Sequence, residues 1–377
     1  MKILYIIDSH PDNGGAPIST CSIATEISKN YSDTFLILPA QDKDYTINDS
    51  VRTIEINELK DRFPLFINQP LKAIKLVREL KKELIKLKPD IVHIHMPRAA
   101  WAVGLLKLLK AIPSNIKLIY TDRDQVVTYR WPMRLISLLL INMMYDQIVS
   151  LTNIGSIYWQ NHIGKANVSV IPNSAGEIYE KYDSRMHNKV KKNNHIGEDL
   201  FTIMFSGRMS IYKNWSLAKD IVLNLKSQDI FFVFAISTMS QEQEDSFKQF
   251  CSEIEDLDVK HVIFHNVTQE VMSNLYYMSD IFILTSDRES FGRTAIEAMS
   301  RKCVVIGRNV GGLPEVIGKE ENILECDVNA FSERILFYKS NIDSLNKDKE
   351  WFLNRFINNY TVNANTEKHK SIYDDIV

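Results

Sequence analysis

The chain has 377 residues with 45 Lys plus Arg against 47 Asp plus Glu, a formal net charge of -2. At roughly 150 residues per domain it holds two or three domains, and no global charge demands nucleic acid or a strongly acidic partner. With 45% hydrophobic and 24% charged residues it is neither a disordered chain nor a small disulfide scaffold, and the scattered Cys21, Cys251, Cys303 and Cys326, with no C-x-x-C pair, point to a reducing compartment without structural zinc.

The chain opens on Lys2–Asp8, a short apolar run that meets an acid without a small-residue cleavage site, which reads as a first strand and not a signal peptide. Directly after it comes Asn13-Gly14-Gly15-Ala16, ahead of a helical stretch with Ile18, Ile23, Ala24 and Ile27. Paired glycines there let backbone amides approach a phosphate or sugar at a helix start, although a plain tight turn uses the same letters. The spacing is not G-x-G-x-x-G, so a nicotinamide site is not supported.

Further strands are predicted at Thr34–Leu38, Val51–Ile56, Asp90–His95, Ile116–Tyr120, Gln147–Leu151 and Val168–Ile171, mostly with helices between them. The clearest helix is Leu71–Leu87, where Leu71, Ile74, Val77, Leu80 and Leu84 recur at three- and four-residue steps and suggest the buried stripe. Lys72, Lys75, Arg78, Lys81, Lys82, Lys86 and Lys88 stand on it against only Glu79 and Glu83. A basic amphipathic helix can lie on anionic lipid, and the Trp131–Tyr145 segment could add apolar contact; solvated charge and core packing explain the same residues. The longest uncharged apolar stretch, Leu135 to Tyr145, is about half the ~20 residues of a membrane span. The expected location is cytoplasmic, peripheral on the inner face of the plasma membrane.

After Ile171-Pro172-Asn173 the pattern lapses into polar residues between Gly176 and Leu200, the best domain boundary. Strands resume at Phe201–Phe205, Ile230–Ala235, His261–His265, Ile281–Thr285 and Cys303–Gly307, followed by a helical tail from about Lys347. Alternating strands and helices in both halves give an α/β class with two parallel sheets, and place the expected ligand crevice between them at strand carboxyl ends.

The motifs of the second half follow strands. Ser206-Gly207-Arg208 with Lys213-Asn214 supplies two cations that could neutralise a diphosphate, or merely sit solvated. Thr285 to Met299 carries Glu289 in a polar loop and Glu297 on a helix that begins near Phe291 or Gly292. On the order of 10 Å of helix rise between the two carboxylates is wide for a glycosidase pair and suits two ends of one ligand, such as a sugar and a ribose joined by a diphosphate. Amides at Ser290 to Gly292 would meet the phosphates. The plain alternatives are a surface Arg293–Glu297 pair and Glu289 as a helix cap. Gly311-Gly312 follows another strand and is by itself only a turn.

In this order, the glycine pair, Asp90-Ile91-Val92-His93-Ile94-His95, Val170-Ile171-Pro172-Asn173, Gly207-Arg208 with Lys213, Glu289-x7-Glu297 with Glu297-Ala298-Met299, and Gly311-Gly312 resemble the retaining nucleotide-sugar glycosyltransferases of family four, over nearly the whole chain. The resemblance implies the GT-B architecture: two facing Rossmann-like domains, here 1–175 on the acceptor side and 198–357 on the donor side, with a C-terminal helix at about 358–377 crossing back to the first.

It also implies that Arg208 and Lys213 bind the donor diphosphate and stabilise the departing nucleotide. Glu289 would contact the transferred sugar, Glu297 the ribose, and Ser290, Phe291 and Gly292 the sugar and phosphates. Gly14 and Gly15 would close over the phosphates from the first domain. The implied reaction moves a hexosyl or N-acetylhexosaminyl group from a nucleoside-diphosphate sugar, UDP favoured, to a hydroxyl of a glycan, lipid-linked or protein acceptor. The setting would be synthesis of a bacterial surface polysaccharide or glycoconjugate. No cofactor, metal or nucleic acid is expected.

Several residues depart from the family. Arg123, in Thr121-Asp122-Arg123-Asp124, fills a slot often held by histidine and is a poor proton acceptor. His95 would partly compensate as an acceptor or sugar contact beside Arg123. Asp122-x-Asp124 invites a metal reading, which the surrounding GT-B order disfavours. Lys302 stands where glycine is usual after the Glu-Ala-Met helix, and Ser290 replaces another usual glycine. Alternative readings are a catalytically silent glycosyltransferase-like binding subunit and a GT-B nucleotide-sugar epimerase.

Overall fold

The computed structural model describes residues 1–9, 15–40, 49–59, 69–123, 126, 129–162, 164 and 166–377. The expected donor contact Gly14 and the second acid of the D-x-D run, Asp124, lie outside the described residues. The chain divides into two compact units, Met1–Gly176 with Val362–Val377, and Glu177–Thr361.

The first unit is built on seven parallel strands, β1 (Lys2–Ile6), β2 (Asp33–Pro39), β3 (Arg52–Ile56), β4 (Ile91–Ile94), β5 (Lys117–Asp122), β6 (Gln147–Ser150) and β7 (Asn167–Val170), in the order β3-β2-β1-β4-β5-β6-β7. Tyr5 of β1 is in register with Leu36 on one side and His93 on the other, so the order reverses between β1 and β4. Such a switch point leaves strand carboxyl ends open for a ligand. The central strands are apolar on both faces because helices cover both. On one face Leu4, Ile6, Val92 and Ile94 pack with Leu76, Leu80 and Leu84 of the helix Pro70–Leu87 and with the wholly buried first turns of the helix Pro97–Leu108. On the other, Ile3, Tyr5 and Ile7 meet Cys21, Ile23 and Ile27 of the helix Gly15–Ser28, and Tyr373.

Tyr373 belongs to the C-terminal helix Val362–Ile376, which packs on the first unit as expected. Its hydroxyl pairs with Tyr5 at 2.8 Å and with His93 Nδ1 at 2.6 Å, and Asn365 donates to the Pro172 carbonyl.

The second unit repeats the scheme with six parallel strands, β8 (Thr202–Arg208), β9 (Phe231–Ser237), β10 (His261–His265), β11 (Ile281–Leu284), β12 (Val304–Arg308) and β13 (Ile323–Leu324), in the order β10-β9-β8-β11-β12-β13. Its switch point lies between β8 and β11, the two strands that lead into the Arg208 and Glu289 segments.

Two local expectations are corrected, and a third, the helical tail, is resolved into its parts. Leu71 and Ile74 do not belong to the buried stripe of their helix: they are 81% and 49% exposed, while Ala73 and Leu76 face the sheet. Residues 177–200 carry a 3-10 turn, Glu177–Tyr179, and the helix Met186–Asn193. The helical tail is two helices, Ile342–Asn359 and Val362–Ile376.

Candidate functional site

In the second unit, β8 and β11 end side by side, and their following loops bring two expected residues, Lys213 and Glu289, together. Lys213 closes the 3-10 turn Ile211–Lys213, fixed by Thr285, whose hydroxyl donates to the Lys213 carbonyl at 2.8 Å, and by the Asp287 amide, which donates to the Tyr212 carbonyl at 2.9 Å. Asn214 then adopts a left-handed φ of 49° and caps the helix Trp215–Asn224 by accepting from the Leu217 amide. The Lys213 ammonium donates to Glu289 Oε2 at 2.7 Å. Gly207 makes this possible: a Cβ there would sit 3.2 Å from the Lys213 stem, so the bare backbone leaves the stem its course.

Glu289 is held from behind by the Gly311-Gly312 turn. Gly311 has a φ of 53° and a Cβ there would lie 2.0 Å from the Glu289 carbonyl, while the Gly312 amide donates to that carbonyl at 3.0 Å. This turn, weak as a motif, is therefore structurally specific. Gly292 precedes the helix Arg293–Met299 with a φ of 91° that glycine adopts freely. Phe291 is buried, its ring edge-on to Tyr360. The amides of Phe291 and Gly292 donate to no group among the described residues. Arg208 ends β8 with its side chain exposed, and its carbonyl accepts from the Trp215 indole at 3.0 Å.

Glu297, the fifth residue of the helix Arg293–Met299, is 5% exposed. The Arg293–Glu297 pair weighed as a plain surface alternative does form, at 3.0 Å, but its side chains are only 12% and 6% exposed. Tyr276 donates to Glu297 Oε2 at 3.2 Å, and Tyr179 stands beside the carboxylate without reaching hydrogen-bond geometry. Burial raises the Glu297 pKa above the ordinary 4.5, with Arg293 and Tyr276 pulling it down. An ionised carboxylate has about four lone-pair sites, so the Tyr276 hydrogen bond and the Arg293 ion pair leave room for a diol. Neither tyrosine was singled out from sequence: Tyr276 sits among Leu275, Tyr277 and Met278 and reads as core, and Tyr179 falls in the polar stretch read as the domain boundary. The only signal was that a buried tyrosine hydroxyl needs a partner.

In the first unit, His95 and Arg123 are brought together at the ends of β4 and β5. Arg123 donates to His95 Nδ1 from Nε at 3.1 Å and from Nη2 at 2.9 Å, and also to Asn173 Oδ1. Because Nδ1 accepts, the neutral His95 carries its proton on Nε2, a buried atom with no partner among the described residues. Burial, then His93 and Arg123, push the His95 pKa well below the usual 6.5, so it stays neutral. Asp122 is occupied structurally, its Oδ2 accepting from the Trp159 indole at 2.9 Å and the Val126 amide at 3.2 Å. Among the described residues no three His, Cys, Asp or Glu side chains gather as a metal site. Gly15 begins the helix Gly15–Ser28. A buried Arg98–Asp8 ion pair at 3.3 Å beside β1, unforeseen because its partners lie 90 positions apart, anchors that strand end.

Comparison with known proteins follows the same two-part division. Residues 13–175 match the family described as Glycosyltransferase Family 4, and residues 186–354 match Glycosyl transferases group 1. The chain is 24% identical over 255 residues to the GPI3 subunit of phosphatidylinositol N-acetylglucosaminyltransferase from Saccharomyces cerevisiae, covering 65% of this chain and 53% of that protein. It is 24% identical to sulfoquinovosyl transferase SQD2 from Arabidopsis thaliana, over 68% of this chain and 50% of that one. An 83-residue stretch is 34% identical to N-acetyl-alpha-D-glucosaminyl L-malate synthase from Bacillus anthracis, covering 21% of this chain and 22% of that protein. The chain thus spans about half the length, or less, of these relatives. Among solved structures it resembles sucrose-phosphate synthase from Thermosynechococcus elongatus, with a TM-score of 0.85 and 14% identity over 100% of this chain and 99% of that one. It also resembles Anabaena HepE in complex with UDP and glucose, with a TM-score of 0.77 and 16% identity over 99% of both chains.

Proposed function

We propose that this chain, which belongs to the family-four type of glycosyltransferases with the GT-B fold, moves a hexosyl or N-acetylhexosaminyl group from a UDP-sugar to an acceptor hydroxyl with retention at the anomeric carbon. The acceptor belongs to surface polysaccharide or glycoconjugate synthesis. The observation that carries this reading is the meeting of Lys213 and Glu289 at the ends of β8 and β11, with the Glu297 carboxylate on the helix that follows. Solved neighbours bound to UDP and to UDP-glucose support the choice of base.

The physical task is to stabilise negative charge as the sugar–phosphate bond breaks. Arg208 and Lys213 place fixed positive charge on the departing diphosphate, and the amides of Phe291 and Gly292 add donors that need no reorganisation. Glu289 orients the sugar through its hydroxyls, and Glu297 takes the ribose diol. The acceptor hydroxyl attacks from the face the diphosphate leaves, through an oxocarbenium-like state, and passes its proton to the departing phosphate oxygen as the sugar–phosphate bond breaks, which retains the configuration. The charge is met by side chains and amides, so the reaction proceeds without a metal. His95, donating from Nε2, and Arg123 serve the acceptor or sugar.

One observation favours a silent binding subunit instead: Arg123 spends donors on His95 and Asn173 within the first unit. Release of UDP from UDP-glucose and UDP-N-acetylglucosamine, with the product anomer assigned by NMR in the presence of a chelator, separates the two. The proposal expects slow donor turnover and a retained anomer. No turnover of any sugar nucleotide, or an inverted product, contradicts it.

A further inference from the structure

The helix Trp131–Ser137 runs directly into a π turn, Leu138–Asn142, and the inner side of this segment is tightly seated. Trp101 donates to Ser137 at 3.0 Å, Tyr145 to the Ala100 carbonyl at 2.8 Å, and a Cβ on Gly104 would lie 2.0 Å from the Leu140 carbonyl. The segment therefore cannot roll its outer side inward. That outer side presents Trp131, Leu135, Leu139 and Met143, which are 69%, 44%, 49% and 46% exposed.

Four-residue steps drift around an ordinary α-helix, but the Met143 amide bonds the Leu138 carbonyl, five residues back. The extra residue in that turn offsets the drift and keeps the row on one face. At ~1.5 Å per residue the row is roughly 18 Å long. Large apolar side chains in an unbroken exposed row mark an interaction surface, unlike singly scattered ones.

The charge around the row identifies its partner. Arg130 and Arg134 sit at its start, and the helix Pro70–Leu87, in the same layer over the sheet, exposes Lys72, Arg78, Lys81 and Lys82, while its Lys75 is paired with Glu58 at 2.6 Å. Glu79 and Glu83 are the only acids on the helices Pro70–Leu87 and Pro97–Leu108 and on the segment 130–143. The whole chain has a net charge of -2, so this cation excess is local. No helix among the described residues is long and apolar enough to cross a membrane.

We propose that this face docks on an anionic lipid surface, with Trp131, Leu135 and Leu139 entering the headgroup boundary and the lysines of the helix Pro70–Leu87, on the same side of the sheet, binding lipid phosphates. Apolar insertion and attraction to anionic headgroups act together in such contacts. The proposal stands independently of the donor assignment.

The test is co-sedimentation of the full chain with vesicles of phosphatidylcholine alone and of phosphatidylcholine mixed with phosphatidylglycerol. The proposal expects binding only to the mixed vesicles, with a blue shift of Trp131 emission that is absent in Trp131→Phe. Leu135→Gln with Leu139→Gln, and separately Lys81→Ala with Lys82→Ala, should each weaken binding on the order of tenfold at unchanged melting temperature. Equal binding to neutral vesicles, no binding to either, or full binding by both variants overturns it. So does a vesicle-free dimer that Leu135→Gln with Leu139→Gln dissociates, which would assign the row to a second copy of the chain.

Discussion

Lys213 and Glu289, 76 positions apart, form a 2.7 Å ion pair at the ends of neighbouring strands. In the proposed reaction these residues serve different parts of one donor, the ammonium a phosphate and the carboxylate a sugar hydroxyl. The pair is half-buried and worth ~0–1 kcal/mol, weak enough for a diphosphate to displace the carboxylate. Glu289→Gln should therefore raise UDP affinity up to about fivefold in calorimetry, since Lys213 no longer leaves a partner. Turnover of the sugar nucleotide should fall by about 10² or more. Lys213→Ala should lose both. Unchanged turnover in Glu289→Gln would remove Glu289 from the chemistry.

Tyr276 orients Glu297 and also favours its charged form. Tyr276→Phe should weaken UDP binding about tenfold, from loss of a hydrogen bond to a charged group worth roughly 1.5 kcal/mol. The sign of the pH effect is distinctive. The ionised carboxylate accepts both ribose hydroxyls in charge-assisted bonds that the protonated acid makes only weakly, so affinity falls as pH drops through the raised Glu297 pKa. Removing the tyrosine hydroxyl moves that acid limb to higher pH, whereas a packing defect alone would lower affinity without moving it.

Stability should also carry a histidine signature. His369, on the C-terminal helix, is fully buried, with Nδ1 against the Asn365 carbonyl at 2.9 Å, and burial lowers its pKa from 6.5 to about 4. A depressed base contributes stability that is present above pH 6.5 and lost as pH falls toward 4, because the unfolded chain binds the proton first. That is on the order of 3 kcal/mol for this residue, and buried His93 and His95 act in the same direction. His369→Gln should flatten the acid slope of denaturant-derived stability by up to about 1.4 kcal/mol per pH unit.

The Gly311 turn offers a backbone test. Its left-handed φ and the 2.0 Å approach of a Cβ to the Glu289 carbonyl mean that Gly311→Ala must shift one loop. The expected cost is about 1–3 kcal/mol, read as a lower melting temperature, together with lost donor turnover because Glu289 moves.

The strands were legible because buried parallel strands are continuous apolar runs, and most were read to within one or two residues of their observed limits. β8 runs three residues further, to Arg208, and β13 escaped, since Ile323–Leu324 is two half-buried residues. The helix Met186–Asn193 escaped because only Val190 and Lys191 are buried, leaving no stripe to see. The stripe proposed with Leu71 and Ile74 failed because a mixed helix allows more than one apolar face, and the sheet selects the face with Ala73 and Leu76. At the site, residue types and spacing named Lys213, Glu289 and Glu297. The Tyr276 contact to Glu297 and the backing of Glu289 by the Gly311-Gly312 turn became visible only once distant segments were adjacent. The left-handed φ of 62° at Lys302 gives a physical reason why glycine suits that position.

The most direct test of the account is the melting temperature of the chain with UDP, GDP, ADP and CMP, in chelator and again with Mg2+, repeated with Glu297→Ala. A bound nucleotide stabilises in proportion to occupancy and affinity. The account predicts a rise with UDP in chelator, little changed by Mg2+ and abolished by Glu297→Ala. A shift that requires Mg2+, survives in Glu297→Ala, or is absent with every nucleotide would contradict it.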